Sequence, residues 1–219
     1  MVKLRLEIDF EMHGMWASRG DAVSSTADIP QARSWNKINL PIIPATSVKG
    51  VLRDALERAL CDCCAGPAPE DYRCSPNNPC IVCRHFGNPK STARLRFSDA
   101  KPDQTEPAMQ NRYGVGVSRW RRAALEEALF TREVVEHKTL VCEVSGFYED
   151  WREALEGAAL LGLACRLLIA IGAAKTRGLG FVVKAALKNV AIDGKAVADD
   201  QINAETERIW KERQCSSSG

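Results

Sequence analysis

Six of the nine cysteines fall between residues 61 and 83, in a stretch rich in Pro and Gly. Cys80 and Cys83 have two residues between them, the knuckle spacing that lets two thiolates reach one ion, and Cys61, Cys63, Cys64 and Cys74 lie close upstream. Soft sulfur donors on a segment with little apolar content suit zinc, whose binding would supply the folding energy the segment lacks. The expected ligands are Cys64, Cys74, Cys80 and Cys83. Cys61 or Cys63 can replace Cys64, and His85 is a weaker substitute. Four protein ligands leave no open coordination position, so the expected ion is structural and not catalytic. Reduced free thiols are the alternative. Cys142, Cys165 and Cys215 read as ordinary core or tail cysteines.

A second chemistry is anion binding. Residues 40–57 place Ser47 and Lys49 in the first turn of an evident helix, with Thr46 as the expected N-cap and apolar residues Val48, Val51, Leu52, Ala55, Leu56, Ala59 and Leu60 at helical spacing. A lysine there sits at the end of the helix dipole that favours anions, which suggests a bound phosphate; a solvated lysine is the alternative. Residues 172–180, GAAKTRGLG, join an apolar helix to a strand and combine three glycines with Lys175 and Arg177. Glycines let backbone N–H groups approach a phosphate and the cations neutralise it, although a tight turn with surface charges accounts equally for the pattern. Neither a Walker loop nor a dinucleotide fingerprint occurs, which argues against nucleotide hydrolysis. His13, His85 and His137 are scattered, and only His13, at the end of the first strand, is placed for acid–base work. Asp21 and Asp28 lie in the long loop before the helix. A carboxylate there can bind a hard divalent cation or orient a 2′-hydroxyl, or it can be a turn residue.

The elements that must position these groups follow from periodicity. Leu4, Leu6, Ile8, Phe10 and Met12 alternate with charged residues as a strand buried on one face. The helix at 47–60, a strand at 93–97, a strand at 139–147, an apolar helix from Trp151 to about Ile171 and a strand at 180–190 follow, with Asp193-Gly194 as a turn. That order is βαββαβ, an α+β ferredoxin-like (RRM-like) core in one domain spanning 1–219. Insertions are expected at about 14–39, 61–90 and 101–138, and the tail from Gln201 is expected to fray. Aromatics with which RNA-recognition sheets stack bases are not evident in the strands, so nucleic-acid contact should rest on loops and electrostatics. With 45% apolar residues and a net charge of only +2, any such contact must come from local patches. No charged segment followed by an apolar run opens the chain, and the apolar stretch 154–174 is broken by Glu156 and Arg166. The expectation is a cytoplasmic protein with no membrane partner.

IPATSVKGVLR at 43–53, CIVCRHFGNP at 80–89 followed by ARLRFSDA at 93–100, and GAAKTRGLGFV at 172–182 together resemble the repeat-associated mysterious protein (RAMP) superfamily. Within it, the chain is similar to the backbone subunits of type III CRISPR effector complexes. The resemblance implies an RNA-binding palm with a thumb-like insertion at about 116–136. It implies guide-RNA contacts from Ser47, Lys49, Arg53, Lys175, Thr176, Arg177 and Gly178, and thumb contacts from Arg119, Arg122 and Phe130. Members that cut target RNA use an aspartate in the loop after the first strand with Mg²⁺ or Mn²⁺; Asp28 occupies that position and Asp21 is the fallback. The implied partners are guide CRISPR RNA, complementary target RNA, further copies of the chain and other effector subunits. A binding-only scaffold and a metal-independent guide-processing ribonuclease using His13 are the competing readings.

Overall fold

The computed structural model describes residues 1–20, 27–35, 39–60, 74, 77, 79–103 and 107–216. In chain order the elements are β1 (Val2–His13), β2 (Met15–Trp16), α1 (Ala45–Leu60), α2 (Ile81–Phe86), β3 (Leu95–Phe97), β4 (Lys101–Pro102), β5 (Ala108–Ser118), β6 (Ala123–Glu136), β7 (Thr139–Tyr148), α3 (Trp151–Leu167), β8 (Phe181–Ile192), β9 (Lys195–Ala196) and α4 (Asp199–Ser216). The chain is thus α+β with antiparallel sheets.

The main sheet runs β3-β7-β1-β8-β9, with β4 also paired to β7. β1 lies at its centre, antiparallel to both β7 and β8. The period-two alternation of β1 buries Leu4, Leu6, Ile8, Phe10 and Met12 on one face, under α1 and α3. The other face is open and polar, and it carries Phe147 between Lys3 (5.5 Å) and Arg96 (5.6 Å). Phe147, half-buried there, and Phe181, exposed at the start of β8, are aromatics in the sheet where the sequence suggested none for stacking. Asp193 and Gly194, both with positive φ, form the expected turn from β8 into β9.

α1 buries Val48, Leu52 and Leu56, one residue per turn. It begins at Ala45, ahead of the expected Thr46 cap, because the Ala45 N–H donates to Asp99 Oδ1 at 2.9 Å. A carboxylate delivered from the β3–β4 connection therefore serves as the cap. Asp150 caps α3 by accepting from the Glu153 N–H at 2.9 Å, worth about 1 kcal/mol for a cap of this kind. α3 stops at Leu167 and not near Ile171, because residues 169–171 extend and bond back to the start of β8: Val182 N–H to Ile169 O at 2.9 Å and Ile171 N–H to Gly180 O at 2.8 Å. The tail does not fray from Gln201. It forms α4, which seats Ile202, Thr206 and Ile209 against α3, and the Thr206 hydroxyl donates to Ile202 O at 2.7 Å.

Residues 101–138 are mostly one long hairpin. β5 and β6 pair from Ala108↔Glu136 to Ser118↔Ala123, so at about 3.3 Å per residue the tip stands roughly 30 Å from the base. Phe130 lies across the strand from Gly114, where a Cβ would come within 2.4 Å of the ring. At the base, β2 pairs with β6 and brings Trp16 into the core.

Candidate nucleic-acid interface and cysteine centre

Three sequence segments meet at the base of the hairpin. The loop carrying Asp28 is laid parallel to β6, with the Ile29 N–H donating to Thr131 O at 3.0 Å and the Glu133 N–H to Ile29 O at 3.1 Å. A buried polar knot holds it there. Gln31, 1% exposed, accepts from the Ser18 N–H at 2.8 Å and donates to Ile42 O at 2.9 Å, while its own N–H donates to Glu133 Oε2 at 2.9 Å. Every polar atom in such a knot needs a partner, which fixes the geometry of the loop. Asp28 itself is exposed, and its Oδ2 accepts the Thr131 N–H at 2.7 Å.

The glycine-rich loop closes on the same place. The Ala173 N–H donates to Ala17 O at 2.7 Å and the Gly180 N–H to Met15 O at 2.9 Å. Gly180, at φ 71°, passes so near Ile171 that a Cβ would lie 2.0 Å from its carbonyl oxygen. Between these fixed ends, Lys175–Arg177 form one 3-10 turn with Lys175, Thr176, Arg177 and Gly178 all exposed. The Arg177 guanidinium lies over the Phe130 ring at 5.4 Å. Such a contact is worth about 0.5–1 kcal/mol at an exposed site, so the backbone bonds hold the loop and the stacking orients the arginine. Arg132 is held below the usual arginine range by burial and by the neighbouring charges of Arg177 and Arg19. The charges of Arg177 and Arg19 repel the Arg132 guanidinium, a crowding that a phosphodiester would relieve, and Asp28 bonds the backbone of β6 one residue before Arg132.

Lys49 is half-buried on α1 and held below the usual lysine range, first by burial and then by Arg53. An anion would relieve both terms. Ser47 is exposed two residues earlier, and Lys175 lies beside the α1 face formed by Val51, Asp54, Ala55 and Arg58; at helical spacing that face is continuous with Ser47, while Lys49 points to the other side of the helix. Arg53 differs: it turns inward, Nε to Glu57 Oε1 at 2.7 Å, Nη1 to Gly87 O at 2.6 Å and Nη2 to Cys83 Sγ at 3.7 Å. Arg119 and Arg122 stand at the far tip of the hairpin, away from Phe130 and the other candidates.

The sulfurs of Cys74, Cys80 and Cys83 lie within 4.8 Å of one another, and Cys74 and Cys83 are buried. Backbone N–H groups of Cys80 and Cys83 point at the sulfurs of Cys74 (3.2 Å) and Cys80 (3.4 Å). Convergent thiols with N–H groups aimed at sulfur fit a soft metal ion such as zinc. Cys61, Cys63, Cys64 and Asp21 fall outside the described residues. His85 is not part of this cluster. It is fully buried, with Nδ1 3.1 Å from Tyr148 Oη and Nε2 2.9 Å from Glu156 Oε1, an arrangement that pins α2 to α3. Cys142 and Cys165 are buried thiols pushed up by burial to about 11 and about 12, inert by this measure. His13 is exposed where β1 meets the start of β8, and His137 bonds Asp103 at 2.6 Å.

Sequence reasoning missed Arg19 and Arg132, and the alternation of Arg132 with Phe130 on one face of β6 was the signal for the second. It also missed Trp120, 95% exposed at the hairpin tip between Arg119 and Arg121. The helix-capping role of Asp99 had no signal in the sequence.

Among the described residues no helix is long and apolar enough to cross a membrane. A search of curated proteins finds no match. A family model described as RAMP superfamily matches residues 29–183, a span that holds the Asp28-adjacent loop, α1, the cysteine centre, the hairpin and the glycine-rich loop. The chain belongs to the RAMP superfamily, whose proteins bind CRISPR RNA and work in multi-subunit complexes.

Proposed function

We propose that this chain is a guide-RNA-binding backbone subunit of a type III CRISPR complex that also cuts complementary target RNA. The observation that carries the reading is the convergence on β6 of Asp28, bonded to Thr131, and of the Arg177 loop, which stacks on Phe130 and crowds Arg132, with Lys175 of the same loop against α1. The strand order β3-β7-β1-β8, with α1 after the first strand and α3 after the third, supports a ferredoxin-like core in a single domain. The cysteine segment and the hairpin are then the zinc-binding and thumb-like insertions.

On this reading Lys49, Lys175 and Arg177 neutralise guide phosphates, and the hairpin, with Arg119, Arg122 and Trp120 at its tip, separates guide from target. Asp28, fixed by its bond to Thr131, takes the proton of a target 2′-hydroxyl as that oxygen attacks the adjacent phosphorus. The bond from phosphorus to the 5′-oxygen breaks, that oxygen takes a proton from water, and a 2′,3′-cyclic phosphate remains, after which Asp28 returns its proton to solvent. Arg132 and Arg177 offset the charge that develops on the phosphoryl oxygens. A hard divalent ion binds through one or two carboxylates plus substrate phosphates, so Asp28 with the RNA is a fitting donor set; the ion would add further charge stabilisation.

The test uses guide-loaded assemblies and a labelled complementary RNA. Asp28→Asn keeps an acceptor for the Thr131 N–H and removes the charge. Cutting that needs Mg²⁺ or Mn²⁺ and is lost with Asp28→Asn, while target binding holds, is the expected result. Binding without cutting in the wild type would make the chain a scaffold. Cutting that survives chelator and falls with His13→Ala would instead point to guide processing.

A further inference from the structure

Arg53 is where the resemblance and the geometry part. As an RNA contact it should present its guanidinium to solvent, yet its side chain is only 17% exposed and all three nitrogen positions have protein acceptors. Nε is taken by Glu57 on the same helix, Nη1 by the Gly87 carbonyl at the C-terminal end of α2, and Nη2 by Cys83 Sγ. A phosphate would have to compete with a fork already filled in the geometry that guanidinium prefers. Gly87 cannot retreat to free it, since at φ 76° it packs against Ala93, where a Cβ would be 2.6 Å from the backbone nitrogen.

The acceptor at Nη2 gives this arrangement its meaning. A zinc ion held by three or four thiolates leaves the centre with net negative charge, and N–H donors to the sulfurs stabilise that charge. The two backbone N–H groups on Cys74 and Cys80 carry none of the compensating charge; Arg53 carries it for Cys83. Arg53 also lies one turn from Lys49 along α1, and its charge is one of the causes that hold Lys49 below the usual lysine range.

We infer that Arg53 is a positioning residue of the cysteine metal centre, tying metal occupancy to the RNA-facing helix α1, and that it makes no phosphate contact itself. This rests on the cysteines binding a metal, and the experiment separates the two.

The zinc-loaded full chain and its Arg53→Ala and Arg53→Lys variants are titrated against a chromophoric chelator. Binding of a single-stranded RNA is then measured over a range of salt with zinc saturating, and Lys49→Ala serves as the control for a phosphate contact. The expected result is a 10- to 100-fold loss of zinc affinity in Arg53→Ala, the range found when a group bonding a metal ligand is removed. Arg53→Lys, which cannot fork onto three acceptors, falls between. With zinc saturating, the salt slope of Arg53→Ala equals that of the wild type, while Lys49→Ala is shallower by about one. Unchanged zinc affinity in both variants overturns the inference. So does a salt slope reduced by about one in Arg53→Ala with zinc bound. If Arg53→Ala fails to fold, Arg53→Lys decides by the same two readouts. A wild-type chain that takes up no zinc removes the metal reading itself, and this inference with it.

Discussion

The glycine-rich loop and the cysteine segment are both stretches with little core of their own, and they are held in opposite ways. The glycine-rich loop is pinned at each end by backbone bonds to β2, to the residues following it and to residues 169–171, and two of its glycines pass where a side chain cannot. In the cysteine segment α2 carries Cys80 and Cys83 on backbone bonds and on buried Val82 and Phe86, and the sulfurs are further engaged by N–H groups to Cys74 and Cys80 and a guanidinium to Cys83. The chain itself keeps the first loop in place. An exchangeable ion would keep the second, so a loop fixed by its own backbone and one that can respond to metal supply lie against opposite faces of the same helix, α1.

Gly180→Ala should break the first loop most severely. It forces a Cβ into the Ile171 carbonyl at φ 71°, and a loss of about 2–4 kcal/mol in stability is expected, seen as a lower melting temperature both with zinc and with chelator. Cys83→Ser probes the other loop. Its melting temperature should lie below the wild type when zinc is present and match it once zinc is stripped; a difference that persists in chelator would mean the thiol acts through packing alone. Arg177→Ala sharpens the contrast, because it removes only the stacking on Phe130. A stability change of about 0.5–1 kcal/mol is expected, with a clear drop in RNA affinity and a salt slope shallower by about one. Asp28→Asn is the smallest perturbation of the fold: thermal unfolding should be unchanged, and only target cutting should be lost.

What the sequence disclosed, and what it hid, follows the same division. Elements with one buried face were readable because periodicity reports burial directly: β1, β7, and the register of Val48, Leu52 and Leu56 on α1. α4 was not readable as a packed helix, since its contact with α3 rests on Ile202, Thr206 and Ile209 in an otherwise polar segment. The segment 101–138 was expected as an insertion, and its two long strands were not read in it, because neither face of the outer half of the hairpin is buried and Ala-Leu-Glu-Glu-Ala-Leu is at home in a helix. At the candidate site, Asp28, Lys49 and Arg177 are expectations from type and context. That Arg19 and Arg132 lie near Arg177, and that Arg53 turns away, depends on contacts between segments far apart in the chain, which no local pattern records.

One feature of the hairpin bears on how the protein behaves in a crowded cell. β5 is an edge strand, and Tyr113, Val115, Val117 and Leu129 are all more than 45% exposed along the arm. A long edge with an apolar flank is ordinarily a template on which further chains stack into fibrils. Here the register slips between Val115 and Val117, Gly114 and Gly116 leave gaps on the opposite face of the strand, and Arg112 places a charge on that face. These irregularities deny an incoming strand the unbroken ladder it needs. The arm can therefore remain long and greasy without becoming a nucleus for amyloid.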